Sequence, residues 1–293
     1  MNRVMPSATS AVLGLAAELR EAGRPVISLG AGEPDFDTPD HIKQAAIEAI
    51  HQGETKYTAI DGTSHLKAAI QRKFERDNQL RYAPEQILVS VGAKHTLFNA
   101  CMGILGPGDE AIVPAPYWVS YPDMVRVAEG TPVIIDTGIE DGFKVTPGKL
   151  EAAITERTRL LFLNSPSNPT GSCYTRDELA ALGKVLLKHP DVVILADDIY
   201  EHIHWADEPF CSLATACPDL YDQVVTINGV SKCYAMTGWR VGYAGGPPEV
   251  IKAMKTIQSQ ITSNPCSISQ VAAAAALDGD QACMTPMLEA YKT

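Results

Sequence analysis

The chain has 293 residues, of which 45% are hydrophobic, so it can bury one large core with smaller appendages. Its formal net charge of −11 argues against nucleic acid or an anionic membrane as a partner. The seven cysteines are scattered, odd in number and without a CxxC pair, which predicts reduced thiols in the cytoplasm and no disulfide framework or metal site.

The first predicted element is an amphipathic helix. Apolar residues recur at helical spacing over residues 8–19, and the pattern continues into Glu18, Arg20 and Glu21, which distinguishes it from a signal peptide. No apolar stretch in the sequence reaches the length of a membrane span.

A short strand is predicted over residues 26–29, followed by a glycine-rich loop. Two glycines of residues 30–35 are spaced as in a dinucleotide-binding motif, but Pro34 and Asp35 break it. Gly32 is therefore most simply a turn glycine. Helices are predicted over residues 41–51 and 64–78, and Tyr57 in the loop between them would ordinarily be a packed tyrosine.

Two candidate sites follow the next strands. A strand over residues 87–90 leads into the turn Gly92-Ala93-Lys94 and a helix, which is a favourable arrangement for an anion and also a common helix start. A strand over residues 111–113 precedes Trp118, whose indole suits either rim packing or stacking on a flat ring.

Further strands are predicted over residues 133–135, 160–163 and 192–195, with helices over 147–154 and 178–187. The second of these strands ends in a loop that contains Asn168, and such loops are usually plain turns. The third is followed by Asp197 and Asp198, which point opposite ways on an extended segment, so the two are not expected to serve one site.

The last strand, over residues 224–227, precedes Ser231 and Lys232, and Arg240 follows eight residues after the lysine. A desolvated lysine near another cation has a lowered pKa and can form a Schiff base with an aldehyde, as in proteins that bind pyridoxal phosphate. Most loop lysines are nevertheless solvated surface charges. Helices are predicted over residues 248–261 and 267–277.

Alternating strands and helices predict an α/β fold with a mainly parallel sheet and helices on both faces. Every candidate follows a strand on the same side, where open α/β sheets bind ligands. These candidates are Ala93, Trp118, Asn168, Asp197 and Lys232.

Ser231-Lys232, followed by the run AMTGWRVGY over residues 235–243, resembles the cofactor-lysine segment of class I aminotransferases, which are fold type I pyridoxal-phosphate enzymes. The resemblance extends in the family's order over residues 29–39, 56–62, 92–99, 116–121, 164–171 and 197–201, and it is most similar to the bacterial aspartate aminotransferase branch. It implies a seven-stranded sheet and a cytoplasmic enzyme that moves an amino group from an amino acid, with aspartate favoured, to a 2-oxo acid. A lyase or synthase on the same scaffold, or a non-catalytic pyridoxal-phosphate-binding module, is the alternative.

The resemblance also implies a role for each site residue. Lys232 would carry the cofactor and move the substrate's α-proton, and Asp197 would keep the pyridine nitrogen protonated. Asn168 and Tyr200 would bond the ring oxygen, and Trp118 would stack on the ring. The phosphate would be held by Gly92, Ala93, Lys94, Ser231, Arg240 and, across a homodimer interface, Tyr57 of the neighbouring subunit. Gly32, Trp118 and Asn168 would border the substrate.

The resemblance implies a division into an N-terminal arm with part of a small domain (residues 1–35), a large cofactor-binding domain (36–270) and the start of a connection to a C-terminal small domain (271–293). Residues 5–9 match a part that lies near the substrate entrance in relatives. The family's α-carboxylate arginine would lie beyond Thr293, so this chain is expected to bind cofactor but to be weakly active. Within the chain, Arg20, Arg24 and Arg126 are the first alternatives to examine.

Overall fold

The computed structural model describes Val4, residues 8–30 and residues 32–293. Residues 5–7 of the predicted N-terminal arm and Ala31 of the predicted glycine loop lie outside the described residues. Among the helices that are described, none is both long and apolar enough to cross a membrane.

Seven strands form a single sheet. They are β1 (Ile87–Ser90), β2 (Glu110–Ala115), β3 (Thr131–Asp136), β4 (Thr158–Asn164), β5 (Val193–Asp197), β6 (Val224–Gly229) and β7 (Gly242–Gly245). Their order across the sheet is β1-β7-β6-β5-β4-β2-β3. Only β7 runs against its neighbours β1 and β6, so the other six strands all point in one direction.

Eleven α-helices are found in the described part of the chain. They are α1 (Ala8–Glu21), α2 (Asp40–His51), α3 (Ser64–Asn78), α4 (Ala93–Ile104), α5 (Ser120–Val127), α6 (Pro147–Ala153), α7 (Arg176–Leu186), α8 (Leu213–Ala216), α9 (Pro248–Ile261), α10 (Ser267–Asp278) and α11 (Thr285–Lys292).

The sheet separates two hydrophobic clusters because successive side chains of a strand point to opposite faces. In β1, Val89 packs with α2, α3 and α10 on one face, whereas Leu88 packs with α4, α5 and α9 on the other. Apart from the edge strand β3, the strands are largely buried on both faces, as expected for a parallel sheet covered by helices. The prediction of an α/β fold with a seven-stranded, mainly parallel sheet is confirmed.

One predicted strand is wrong, and one strand was missed. Residues 26–29 form no strand, and Ile27 and Leu29 are 91% and 93% exposed, so their β-type pattern finds no neighbouring strand to pair with. The seventh strand is instead β7, whose Gly-Tyr-Ala-Gly sequence has little intrinsic β preference. Glycine is required there because a Cβ on Gly242 would collide with the backbone of Ala93.

The predicted boundary after residue 270 falls inside α10, which continues unbroken to Asp278 and packs on α2 and α3. Ala272, Ala273 and Leu277, beyond that boundary, are buried in the core. The division into domains stays a prediction.

Candidate active site

A cleft of about 530 Å³ opens at the carboxyl end of the parallel strands, within the size range of small-molecule sites. Ten of the twelve predicted site residues line it: Gly32, Ala93, Lys94, Trp118, Asn168, Asp197, Tyr200, Ser231, Lys232 and Arg240. Gly92 is not among the lining residues but lies against the Arg240 guanidinium. Tyr57 does not line the cleft, and its side chain is 93% exposed.

Strand direction explains why residues so distant in sequence meet. The carboxyl ends of β1, β2, β4, β5 and β6 share one edge because these strands are parallel. Arg240 reaches the same edge differently, since it precedes β7, and the reversed direction of β7 places its beginning there.

One corner of the cleft suits an anion. Gly92 adopts φ 84°, a conformation that favours glycine, and α4 begins at the next residue, with Ala93 and Lys94 facing the cleft. The Arg240 guanidinium packs so closely on Gly92 that a Cβ there would collide with it, and its Nη1 donates to the Thr237 carbonyl at 2.8 Å. A helix N-terminus and a guanidinium therefore converge on one spot.

Lys94 extends its side chain toward the aromatic side of the cleft. It belongs to the first turn of α4, and its ammonium sits 4.7 Å from the centre of the Trp118 ring, a cation–π contact. Burial lowers its pKa, and the charge of Arg240 lowers it further. The positive charge of Lys94 is thus held at the aromatic wall of the cleft.

The buried carboxylate of the cleft is Asp197, the last residue of β5, which is 4% exposed. Burial raises the pKa of Asp197 to about 6, and hydrogen bonds from the Tyr121 hydroxyl and the Ile199 N–H oppose that rise. Tyr121 donates to Asp197 Oδ2 at 2.6 Å. A carboxylate held in this way is poised to pair with a cationic N–H of a ligand.

Sequence reasoning missed Tyr121, although its position three residues after Trp118 is a usable signal. Tyr121 lies in the first turn of α5 and Trp118 just before the helix, and their rings meet edge to face with centres 5.5 Å apart. The Tyr121 ring also packs on Phe162 of β4 at 4.7 Å, which fixes its hydroxyl beside Asp197. Asp198 is buried but does not line the cleft, as expected for neighbours on an extended segment.

Asn168 and Tyr200 both line the cleft. Burial raises the pKa of Tyr200, the negative charge of Asp197 raises it further, and the Asn168 side chain opposes this rise. Asn164, which sequence reasoning did not single out, accepts from the Asn168 N–H at 2.7 Å and donates to the Asp197 carbonyl at 2.8 Å. Asn164 therefore joins the loop that contains Asn168 to the end of β5.

Lys232 is half-buried at the floor of the cleft. Burial lowers the pKa of its amine, the Glu33 carboxylate opposes this, and Arg240 adds to the lowering. Its Nζ donates to the Gly32 carbonyl and lies 5.9 Å from the centre of the Tyr200 ring. A lowered pKa increases the fraction of neutral amine, which is the nucleophilic form.

These groups fit one kind of ligand. An anion corner, an indole wall, a buried carboxylate and an amine suit a molecule with a phosphate, a flat ring, a basic ring nitrogen and an aldehyde. The charged residues that line the described cleft are three cations, Lys94, Lys232 and Arg240, and one anion, Asp197. That excess of positive charge fits a phosphate together with a carboxylate substrate.

Comparison with known proteins gives a consistent result. Residues 24–293 match the family described as aminotransferase class I and II. The chain is 60% identical over 289 residues to an aspartate/prephenate aminotransferase of Nitrosomonas europaea, covering 99% of this chain and 73% of the relative. It is also 60% identical to one of Cereibacter sphaeroides, covering 99% and 72%.

Solved structures agree with this result. The aspartate aminotransferase from Rhizobium meliloti has a TM-score of 0.96 and 53% identity, covering 100% of this chain and 74% of that one. The Thermus thermophilus aspartate aminotransferase with maleate has a TM-score of 0.95 and 46% identity, covering 100% and 77%.

Proposed function

The chain belongs to the class I and II aminotransferase family, and from that premise we propose that it transfers the amino group of aspartate to a 2-oxo acid such as prephenate. It is an enzyme, a pyridoxal-phosphate-dependent aminotransferase. Aspartate and prephenate are the substrates in the names of its relatives. The observation that carries the proposal is that the Lys232 amine, the buried Asp197 carboxylate and the Arg240 corner meet in one cleft.

We assign the cofactor contacts on the same geometry. Arg240, Ser231 and the residues 92–94 would hold the phosphate, with the α4 N-terminus contributing its positive end. Asp197 would pair with the ring nitrogen, the neighbouring Asn168 and Tyr200 would bond the ring oxygen, and Trp118 would cover one ring face. Gly32, Trp118 and Asn168 would also border the substrate.

The bound cofactor supplies an electron sink that makes the α-proton of the amino acid acidic. Lys232 Nζ takes that proton as a general base and later returns it, a role that the lowered pKa of its amine supports. Asp197 would keep a proton on the ring nitrogen, because its buried carboxylate would gain an opposite charge there. Tyr200 holds its phenolic proton, since burial and Asp197 raise its pKa, and can therefore donate a hydrogen bond.

We further propose that the enzyme acts in the cytoplasm as a homodimer. Seven unpaired cysteines are compatible with a reducing compartment. The fully exposed Tyr57 side chain is free to reach a second copy of the chain, where it would contact the phosphate.

Product analysis tests the reaction. Purified protein loaded with pyridoxal phosphate should convert aspartate to its 2-oxo acid only when prephenate or another 2-oxo acid is supplied, and Lys232→Ala should abolish the conversion. Release of ammonia, or loss of the aspartate side chain without an acceptor, would assign a lyase reaction instead.

A further inference from the structure

A buried polar cluster lies behind the segment that carries Asp197 and Tyr200, outside the cleft. It consists of Lys73, Asp77 and Asn78 at the end of α3 and of Glu201 and His202, and we call it the rear network. It connects a helix on one face of the sheet to the turn that follows β5.

Lys73 is the centre of the rear network and is only 1% exposed. Its ammonium forms an ion pair with Glu201 and donates to Asn78 Oδ1 at 2.7 Å. Asn78 Nδ2 in turn donates to Glu201 Oε2 at 2.8 Å. Lys73 and Asn78 therefore hold the Glu201 carboxylate from two sides in the protein interior, where charges are costly to leave unpaired.

A metal ion is not the best occupant of this cluster, although Asp77, Glu201 and His202 bring ligand atoms within 4.8 Å of one another. The Arg76 guanidinium already pairs with Asp77 at 2.6 and 3.0 Å, and Lys73 already pairs with Glu201. Both carboxylates are therefore already paired with cations, and a divalent ion would be repelled by the Lys73 ammonium.

Glu201 is the residue directly after Tyr200, and the two side chains point opposite ways. Tyr200 faces the cleft, whereas Glu201 is 5% exposed and points to Lys73. Both residues belong to the turn that follows β5. The Glu201 N–H closes this turn by donating to the Asp198 carbonyl at 2.9 Å, and the Asp198 N–H donates to the Ile227 carbonyl of β6 at 2.9 Å. Any shift of Glu201 must move the peptide that carries Tyr200.

We propose that Lys73 and Glu201 are positioning residues: their buried ion pair fixes this turn so that the Tyr200 hydroxyl is held beside Asn168 at the cofactor ring. The inference rests on the proposed contact of Tyr200 with the cofactor. It assigns to α3, which does not touch the cleft, a part in setting the protonation of the bound cofactor.

The test removes both charges together, because a single substitution leaves an unpaired buried charge and is strongly destabilising. Lys73→Met/Glu201→Gln approximately keeps the size of both side chains, and the amide oxygen at position 201 can still accept from Asn78 Nδ2. The matched control is Arg72→Met/Asp278→Asn, which removes a 2.7 Å ion pair of the same helix on its more exposed side. Tyr200→Phe serves as the reference because it removes the hydroxyl itself.

Two measurements are made on each variant. The first is amide hydrogen exchange of residues 198–203 without cofactor, which reports the order of the turn. The second is the pH midpoint of the bound cofactor's visible absorbance, with its dissociation constant. We expect the double variant to exchange faster, to bind pyridoxal phosphate about threefold to tenfold more weakly and to shift the midpoint in the direction of Tyr200→Phe.

Adding Tyr200→Phe to the double variant should shift the midpoint no further, because both changes act through the same hydroxyl. The control should leave both measurements at their parental values. Faster exchange in the double variant with an unchanged midpoint would overturn the proposal and leave the rear network a purely structural role. Unchanged exchange would also overturn it, because the ion pair would then not order the turn. If Tyr200→Phe alone has no effect on the midpoint, the role of Tyr200 is wrong and the positioning proposal is overturned with it, while the transamination assay judges the activity separately.

Discussion

At the scale of single residues, the chemistry of the cleft depends on two groups whose pKa values burial shifts toward neutrality. Burial lowers the pKa of the Lys232 amine and raises that of Asp197 to about 6. Burial disfavours the charged form of both groups, so the Lys232 amine can accept a proton at neutral pH and the Asp197 carboxylate gains from pairing with an opposite charge. The charge of Arg240 lowers the pKa of Lys232 further, and the hydrogen bond from Tyr121 limits the rise in the pKa of Asp197.

Lys232 should carry the cofactor through a reducible covalent bond, because its half-buried amine opens to the cleft beside Arg240. Borohydride treatment of the loaded protein followed by peptide mapping should place the label on the peptide that contains Lys232. Lys94, the other cleft lysine, is the internal control because its ammonium is committed to Trp118. A label on Lys94 instead would reverse the assignment.

Tyr121→Phe should raise the pKa of Asp197, since it removes a 2.6 Å hydrogen bond to the charged form of the carboxylate. A hydrogen bond to a charged group contributes about 1.5–3 kcal/mol, which corresponds to about one to two pH units. As the solution is acidified, Asp197 should lose its charge at a higher pH in this variant than in the parent protein, and cofactor affinity should begin to fall at that higher pH. Equilibrium binding between pH 5 and 9 measures the difference.

Tyr82→Phe is the matched control for that substitution, because Tyr82 is equally buried but bonds Thr226 at 3.0 Å, away from Asp197. An identical pH dependence in Tyr121→Phe and the parent protein would show that the hydroxyl does not influence Asp197.

At the scale of elements, the cleft is built where chain segments approach one another unusually closely. β7 lies between β1 and β6 with its first glycine against the beginning of α4, so strand and helix N-terminus fix each other's position. α3 and the turn after β5 are joined by the rear network. The anion corner and Tyr200 are therefore placed by contacts that lie behind the cleft wall.

Gly242→Ala should destabilise the protein by about 1–3 kcal/mol, because the added Cβ would meet the rigid backbone of Gly92 and Ala93. The same displacement should weaken phosphate binding at the α4 N-terminus. Denaturant unfolding and cofactor titration measure the two effects. Gly148→Ala is the control, since no atom of the described residues lies within 4 Å of its Cβ position. Equal stability of the two variants would contradict the close approach.

His202 should stabilise the junction of α3 and the β5 turn in a pH-dependent way. Its Nε2 lies 3.2 Å from Glu201 and 3.5 Å from Asp77, and these carboxylates raise its pKa to about 9 against both burial and the Lys73 charge. Because the folded-state pKa exceeds the ordinary value of 6.5, this stabilisation is complete below about pH 6.5 and is lost as pH rises through about 9.

His202→Asn should therefore lower the free energy of unfolding by on the order of 1–3 kcal/mol at pH 6 and by much less at pH 10. Urea unfolding at both pH values measures the difference. His51→Asn, a change at the exposed end of α2, provides the control. A loss that is the same at both pH values would mean that His202 acts through packing and not through its charge.

At the scale of the whole molecule, the single sheet brings residues from most of the chain to one edge, but it leaves Tyr57 outside the cleft. If Tyr57 completes a neighbouring copy's site, mixing inactive Tyr57→Ala and Lys232→Ala proteins should restore part of the activity, since one hybrid site receives both intact residues. Subunit exchange must be verified, and Tyr57→Ala must first be shown to be severely impaired. No recovery after exchange would argue for independent sites.

The amino-acid sequence by itself determined the parallel strands, most of the helices and the edge at which the candidates meet. Helical and strand periodicity is local, and the parallel direction of strands joined by helices follows from short connections. Residues 64–78 and 248–261 were predicted as helices with the bounds that α3 and α9 show. The resemblance of the lysine segment then supplied the expected role of each candidate.

Tertiary structure decided whatever depends on a partner distant in the sequence. Residues 26–29 have a strand pattern but no strand to pair with, whereas the glycine-rich β7 is a strand because two neighbours supply its hydrogen bonds. The role of Tyr121 was not predicted because it depends on a hydrogen bond from its hydroxyl to Asp197, which lies 76 residues away along the chain. The pairing of Lys73 with Glu201 was hidden for the same reason: hydrogen bonds and ion pairs between distant segments leave no periodic signal, and they exist only once folding has brought the segments together.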